Sequence, residues 1–359
     1  MRETPAPPGC ARGLRGALLL ACSLGAAGAP LPGMAAGRLT VMTWSGYELP
    51  QFHPDYDRTH PEGATIAVVS NDDEQFAKVR AGYRTDIAHP CIDRVQDWRD
   101  ARLIQPIDTS RIRNWDRLFP ILRQIPGVVA DGKVWMLPWD WANTSITYRT
   151  DLVAGHPDSW TLLWDPKYEA RTAMIDAVHD AWLVAALVAK VDPFDESSAD
   201  IARTAEVLRR QVALASFYSA DMTTLEQSLA SGELVAAMTW NSAYVELRKQ
   251  GIPVAFMRPK EGMLTWVCGL VLMRDSRHVD LAYDFFNAME TEAAGVALIR
   301  AYGYGVANSD SFAAVPEAER DALALPRDPQ HELRDTILVR PMRDRARIAA
   351  TYATVKAGG

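Results

Sequence analysis

The sequence predicts an α/β chain folded as two lobes with a ligand cleft between them, and three observations lead there. From residue 39 onward, β-rich and helix-spaced segments alternate, a pattern that gives largely parallel sheets covered by helices. The 359 residues exceed one ordinary domain, yet no repeat, low-complexity tract or long flexible linker divides them. Two lobes without a linker share several short crossings, which puts a cleft at a hinge. Finally, Trp44, Trp139, Trp141, Trp240 and Trp266 stand at the ends of short β-like runs, and Trp182 opens a helix-like one. In open α/β sheets the carboxyl ends of strands border the ligand crevice, so aromatics gathered there suggest a stacking box for a small molecule. Each one taken singly is also a good core residue, because Trp is largely buried on average.

The elements follow in order. Residues 1–36 read as a secretory signal: Arg12 and Arg15 form a basic start, a short apolar run follows, and small residues around Ala27 and Ala36 offer cleavage sites. A lipoprotein site at Leu19-Leu-Ala-Cys22, with Cys22 acylated, is the alternative; the apolar run between Arg15 and that point is short for it. Residues 39–44 and 65–70 are β-rich, 73–83 have helical spacing, 86–90 make a short strand ended by Pro90, and 94–102 are helical again. Amphipathic helices are predicted at 181–190 and 198–214, strands at 234–239 and 270–273, and a helix at 279–291. No run after the signal approaches the ~18 continuous apolar residues of a membrane span.

Composition narrows the function. The formal charge is −7, and removing Arg2, Arg12, Arg15 and Glu3 with the signal takes away a net +2, leaving −9. An acidic chain argues against nucleic acid, which needs a basic footprint, and mildly favours cationic solutes. Of four cysteines, Cys10 and Cys22 lie in the signal; Cys91 and Cys268 are too few for a disulfide-built scaffold.

Enzyme signatures are sparse. G-x-S-x-G, H-E-x-x-H and the Walker loop do not occur, and Gly303-Tyr-Gly305 lacks the third glycine of a dinucleotide fingerprint. His89 beside Cys91 suggests a Cys/His nucleophile only if the fold pairs them in space. Asp72-Asp73-Glu74 has the look of a metal cluster but suits a helix start, where acids meet the positive end of the dipole. The arginines from Arg340 to Arg347 read as an exposed helix face. Neither a metal nor a cofactor is expected.

Several segments resemble the bacterial spermidine/putrescine-binding proteins, the extracytoplasmic receptors of polyamine ABC importers. They are Thr43-Trp-Ser-Gly-Tyr47, Asp86-Ile-Ala-His-Pro90, Leu103-Ile-Gln-Pro-Ile-Asp108, Leu137-Pro-Trp-Asp-Trp141, Ser159-Trp-Thr-Leu-Leu-Trp-Asp-Pro-Lys-Tyr168, Met238-Thr-Trp-Asn-Ser-Ala-Tyr244, Pro259-Lys-Glu-Gly262 with Trp266, and Tyr302-Gly-Tyr304. The resemblance implies the two-lobed periplasmic binding protein fold of type II. One lobe would hold 37–145 with 266–308, the other 146–265 with 309–359. It further implies a monomer in the periplasm that binds a small-molecule ligand and docks on an inner-membrane ABC permease.

By the same resemblance, Trp44 and Tyr47 match the family's first aromatic pair, Trp240 and Trp266 its later box walls, and Tyr304 a tyrosine after the last crossing. Ser45 and Ser219 match small polar contacts. The carboxylates carry over poorly. Cys268 stands where the family has a key aspartate, Gly46 and Ala243 where putrescine-preferring members have acids, and Cys91 where it has a ligand serine. Ala177 and Asp180 fall at an acidic pair, with Asp176 one place off; Asp93 replaces a tyrosine, and Leu338 or Arg340 a glutamine. Asp180 and Asp93 are left to meet a cation, which suits a ligand with a single cationic group better than a linear diamine. Asp140, between Trp139 and Trp141, cannot share their direction on a strand. Cys91 and Cys268 form either a disulfide flooring the pocket or two free thiols shaping it, the alternative being two separate buried cysteines. The expected function is therefore an importer's binding protein for a small amine-like solute. A ligand-sensing receptor for a membrane signalling protein, and a periplasmic enzyme, are the other classes; neighbouring permease and ATPase genes would separate the first from the second.

Overall fold

The computed structural model describes residues 37–358; the predicted signal and Cys22 lie outside them. The first segment alternates as expected: β1 (Thr40–Trp44), α1 (Pro54–Thr59), β2 (Thr65–Val69), α2 (Asp72–Arg80), β3 (Ile87–Ala88), α3 (Ile92–Asp100) and β4 (Ile104–Gln105). Asn71 caps α2 by accepting the Glu74 N–H, and Glu74 reaches back to the Ser70 N–H at 2.8 Å, which places Asp72, Asp73 and Glu74 in the first turn. A small hairpin, β5 (Val129–Ala130) with β6 (Lys133–Val134), precedes the long strand β7 (Leu137–Arg149).

Then come β8 (Thr172–Ile175), α4 (Val178–Val188), α5 (Ser198–Leu214), β9 (Phe217–Ser219), α6 (Met222–Ser231), β10 (Ala236–Trp240), α7 (Asn241–Lys249), β11 (Val254–Phe256) and β12 (Leu264–Met273). The chain closes with α8 (Val279–Met289), α9 (Glu292–Tyr302), β13 (Gly305–Val306), α10 (Ser309–Ala314), α11 (Glu317–Ala322), α12 (Pro329–Asp335), β14 (Ile337–Leu338) and α13 (Arg345–Lys356).

Strand order along the main sheet is β2-β1-β3-β12-β7-β10-β8-β9. Its outer arms are parallel, as expected, but the centre is not: β7 pairs antiparallel with both β12 and β10, and β12 antiparallel with β3. The reason is topological. β7 carries the chain from one core to the other and β12 brings it back, so the two crossings run in opposite directions side by side. Their register sets Trp266 opposite Ala142 and Cys268 opposite Asp140, with a bulge between Cys268 and Gly269. Gly269 is required there, since a Cβ would strike the Leu137 carbonyl.

Two hydrophobic cores flank these crossings. The first gathers residues within 39–141 and 267–333, with Val245; the second gathers residues within 146–264 and 339–355. Phe312, Val315, Leu323, Leu325 and Leu333, expected with the second lobe, pack in the first core, because α10 docks on α9 before the chain turns back. No helix among the described residues is long and apolar enough to cross a membrane.

Candidate functional site

Three of the six tryptophans that the sequence singles out are core. Trp139, Trp141 and Trp182 are buried and their indole N–H groups are spent on Met289 O, Val306 O and Glu196 Oε2. Trp141 lies flat on Gly305, where a Cβ would collide with its ring. Trp44, Trp240 and Trp266 stay partly exposed, because they stand at or near the crossing between the cores.

These three belong to a continuous line of rings. Trp240 meets Trp266 edge-on at 6.3 Å, Trp266 meets Tyr304 at 5.0 Å, and Tyr304 meets Tyr302 at 5.7 Å. Tyr302 stacks on Tyr47 at 5.6 Å, Tyr47 touches His89 at 5.2 Å, and His89 touches Trp44 at 6.2 Å. Tyr302 is thus a middle rung that sequence reasoning quoted within a motif without choosing it. The Trp266 indole N–H is buried without a hydrogen bond. Tyr304 donates to Ser242 Oγ at 3.2 Å, which joins the β13 end of the line to the start of α7.

Behind the first rungs lies a buried polar chain. The Tyr47 hydroxyl donates to Asp140 Oδ2 at 2.7 Å, His89 Nε2 is 3.4 Å from Asp140 Oδ1, and His89 Nδ1 shares a proton with Thr43 Oγ1 at 2.9 Å. Burial, then the Asp140 charge, pushes the Tyr47 phenol well above its ordinary value. Asp140 therefore turns away from Trp139 and Trp141, as strand alternation requires, and holds Tyr47. His89 is committed to the same chain. The Cys/His nucleophile does not form, since Cys91 and Cys268 are joined by a disulfide.

That disulfide ties the aromatic line to a cluster of acids. Cys268 is two residues beyond Trp266; Cys91 is the residue before α3, whose first turn carries Asp93. Asp93 is only 6% exposed and its Oδ1 has no hydrogen bond, while Oδ2 lies 3.4 Å from His179 Nδ1 on α4. Asp180, next in α4, accepts from Thr144 Oγ1 at 3.2 Å, and Thr144 is the residue of β7 opposite Trp240. Burial pushes the Asp180 carboxyl up, with Asp93 adding to the rise and His179 and the Thr144 hydroxyl opposing it. Asp72, whose Oδ1 accepts the Cys91 N–H at 3.3 Å, is pushed well up by burial and by Asp93. One carboxylate from each core thus converges beside the aromatic line.

The remaining predicted residues are placed less centrally. Ser45 is exposed in the turn after β1, and the Ser219 hydroxyl is occupied by the turn into α6, bonding the Asp221 backbone. Asp176 is held by Tyr352 and Lys356. Asp180 lies in the first turn of α4 and Ala177 is its N-cap, because the helix starts three residues earlier than its apolar pattern suggested. The arginines predicted as one helix face lie partly before α13 and act separately: Arg340 over Phe194, Arg343 on Asp195, Arg345 on Asp73. Among the described residues no group of three or more His, Cys, Asp or Glu could hold a metal ion. Two open surface grooves, one at Phe76, Arg80 and Arg345 and one at Asp55, Arg111 and Tyr283, include none of the predicted site residues.

Comparison with known proteins gives the fold and the family. The chain is 23% identical over 269 residues to the putrescine-binding periplasmic protein PotF of Escherichia coli, covering 69% of this chain and 72% of that one. It is 22% identical over 293 residues to the spermidine/putrescine-binding periplasmic protein of Salmonella typhimurium, covering 79% and 83%. Among solved structures, a putative spermidine/putrescine ABC transporter protein from Listeria monocytogenes superposes with a TM-score of 0.79 at 18% identity, covering 90% of this chain and 99% of that one. The Atu4243-GABA receptor superposes at 0.71 with 17% identity, covering 90% and 98%, so the two-lobed fold is shared. The family model of the bacterial extracellular solute-binding proteins matches residues 57–326, and the chain belongs to that family.

Proposed function

We propose that this protein is the extracytoplasmic binding component of an ABC importer, that it works as a monomer exported to the periplasm, and that its solute is a small organic amine with one ammonium-type head. The observation that carries this reading is the convergence of Asp93 and Asp180, one from each core, beside the line of rings from Trp240 to Trp44. A desolvated ammonium needs an anion or strong acceptor, and its alkyl part gains from aromatic faces, at about 0.5–2 kcal/mol for a cation over a ring. The names of the relatives, binders of putrescine and spermidine, point to the same ligand chemistry. The solute would be enclosed where β7 and β12 cross between the lobes, and the closed form would be what the permease reads. Binding needs no turnover, and no candidate residue is arranged as an activated nucleophile.

A thermal-shift screen of unfolded and refolded, ligand-free protein tests this against polyamines, monoamines, betaines, amino acids and neutral sugars. Amines should raise the melting temperature in a concentration-dependent way, since ligand binding adds RT ln(1 + [L]/Kd) to stability. Stabilisation by sugars alone would overturn the reading.

A further inference from the structure

His179 belongs to no motif that the sequence singles out, yet it stands next to Asp180 in α4 and pairs with Asp93. It is the second residue of α4, on the second core, and its Nδ1 reaches across to Asp93 Oδ2 on α3, on the first core, at 3.4 Å. Its side chain is 19% exposed and that of Asp93 6%, so neither is freely solvated. The other charges nearby already have partners. Arg94 is bound by Asp73 at 3.2 Å and Asp97 at 2.7 Å, and Arg345 by Asp73 at 3.1 Å. Lys356 pairs with Asp176 at 3.3 Å, and Asp72 Oδ1 accepts the Cys91 N–H at 3.3 Å. What remains facing the cleft is Asp93, Asp180 and the imidazole.

We propose that His179 is a specificity-determining residue of the amine site, acting as a built-in counter-ion that neutralises Asp93 when protonated and leaves Asp180 as the one uncompensated carboxylate. The proposal rests on the amine-binding reading above and names the residue that restricts the site to one ammonium. With the imidazolium in place the cleft offers a single negative charge, so one ammonium is welcome and a second meets repulsion from His179. With the imidazole neutral, Asp93 becomes available and its orphaned Oδ1 can accept from a second ammonium. The selection for singly charged amines therefore holds while the imidazole carries its proton and weakens when it does not.

The test compares n-butylamine with putrescine, two amines on the same four-carbon chain, by calorimetry at about pH 5.5 and about pH 8, across the range in which histidine side chains generally change charge. In the wild type the ratio of putrescine to butylamine affinity should rise about tenfold between the two pH values, the scale expected of one close charge pair. His179→Gln, which keeps the side chain's bulk and hydrogen bonding without its charge, should show the higher ratio at both and lose the pH trend. His179→Ala serves as a second variant, with circular dichroism confirming that each is folded. An unchanged ratio in both variants, or a pH trend that survives in them, overturns the proposal while leaving amine binding intact. Failure of the amine reading looks different: neither amine binds the wild type or either variant at either pH, and both ideas fall together.

Discussion

Cys91 and Cys268, 177 residues apart in the chain, oppose each other as an isolated antiparallel bridge and their sulfurs are bonded. The bond fastens the start of α3 to the middle of β12, so the backbone that presents Asp93 is tied to the strand that presents Trp266. A crosslink closing so long a loop restricts the unfolded chain, which typically contributes about 2–4 kcal/mol. Periplasmically expressed, denatured protein should take up thiol label only after reduction, and Cys91→Ser with Cys268→Ser should melt lower than the oxidised wild type. Labelling of both thiols without reductant would show that the bond does not form.

The aromatic line predicts a division among the tryptophans. Trp240→Ala and Trp266→Ala should each weaken amine binding by about 1–3 kcal/mol with folding retained. Trp182→Ala should instead cost stability, about 3–5 kcal/mol, because Trp182 is buried and bonded to Glu196. Calorimetry paired with thermal melts separates the two groups; equal affinity in both cleft variants would remove those rings from the site.

Between the acids, Asp180→Asn should cost more amine affinity than Asp93→Asn. Asp180 has a hydroxyl partner, Thr144, whereas the charge of Asp93 is shared with His179. A loss of about 2 kcal/mol or more at Asp180 is the scale for truncating one partner of a buried charge pair. Since Ala177, not Asp180, is the N-cap of α4, the melting temperature should change little. A large drop in melting temperature with full affinity would assign Asp180 to the helix alone.

Glu226 on α6 gives a pH prediction. Burial, then Glu246 and Asp221, pushes its carboxyl up to about 7. Its folded pKa is above the unfolded one, so folding favours the protonated acid. That contribution is complete below the ordinary glutamate range near 4.3 and is lost as pH rises through about 7. Stability of the wild type should therefore decline across this window more steeply than that of Glu226→Gln, which should melt roughly 2 °C higher above it. Parallel melting curves against pH for the two proteins would remove Glu226 as a contributor.

Local signals were enough for much of the fold. Helix α5 spans Ser198–Leu214 as its apolar spacing predicts, because Ser197 and Asp200 close a capping box within four residues of each other. Strand β1 and the turn carrying Trp44 and Tyr47 were legible from local pattern as well. Strand β12 was legible only at its end, 270–273: it is buried on both faces along Leu264–Met273, so no alternation marks its start. Strand β7 was hidden likewise, with twelve buried residues in a row before Arg149. Which tryptophans are core was a tertiary matter, since Trp139 and Trp141 share one face of β7 and that face packs under α8 and β13. The pairing of His179 with Asp93 and of Tyr47 with Asp140 was beyond sequence reading altogether. Capping and periodicity act between residues a few positions apart and leave a pattern in the chain; contacts between residues 86 or 93 positions apart exist only once the tertiary fold has assembled, the first between the two cores and the second within one.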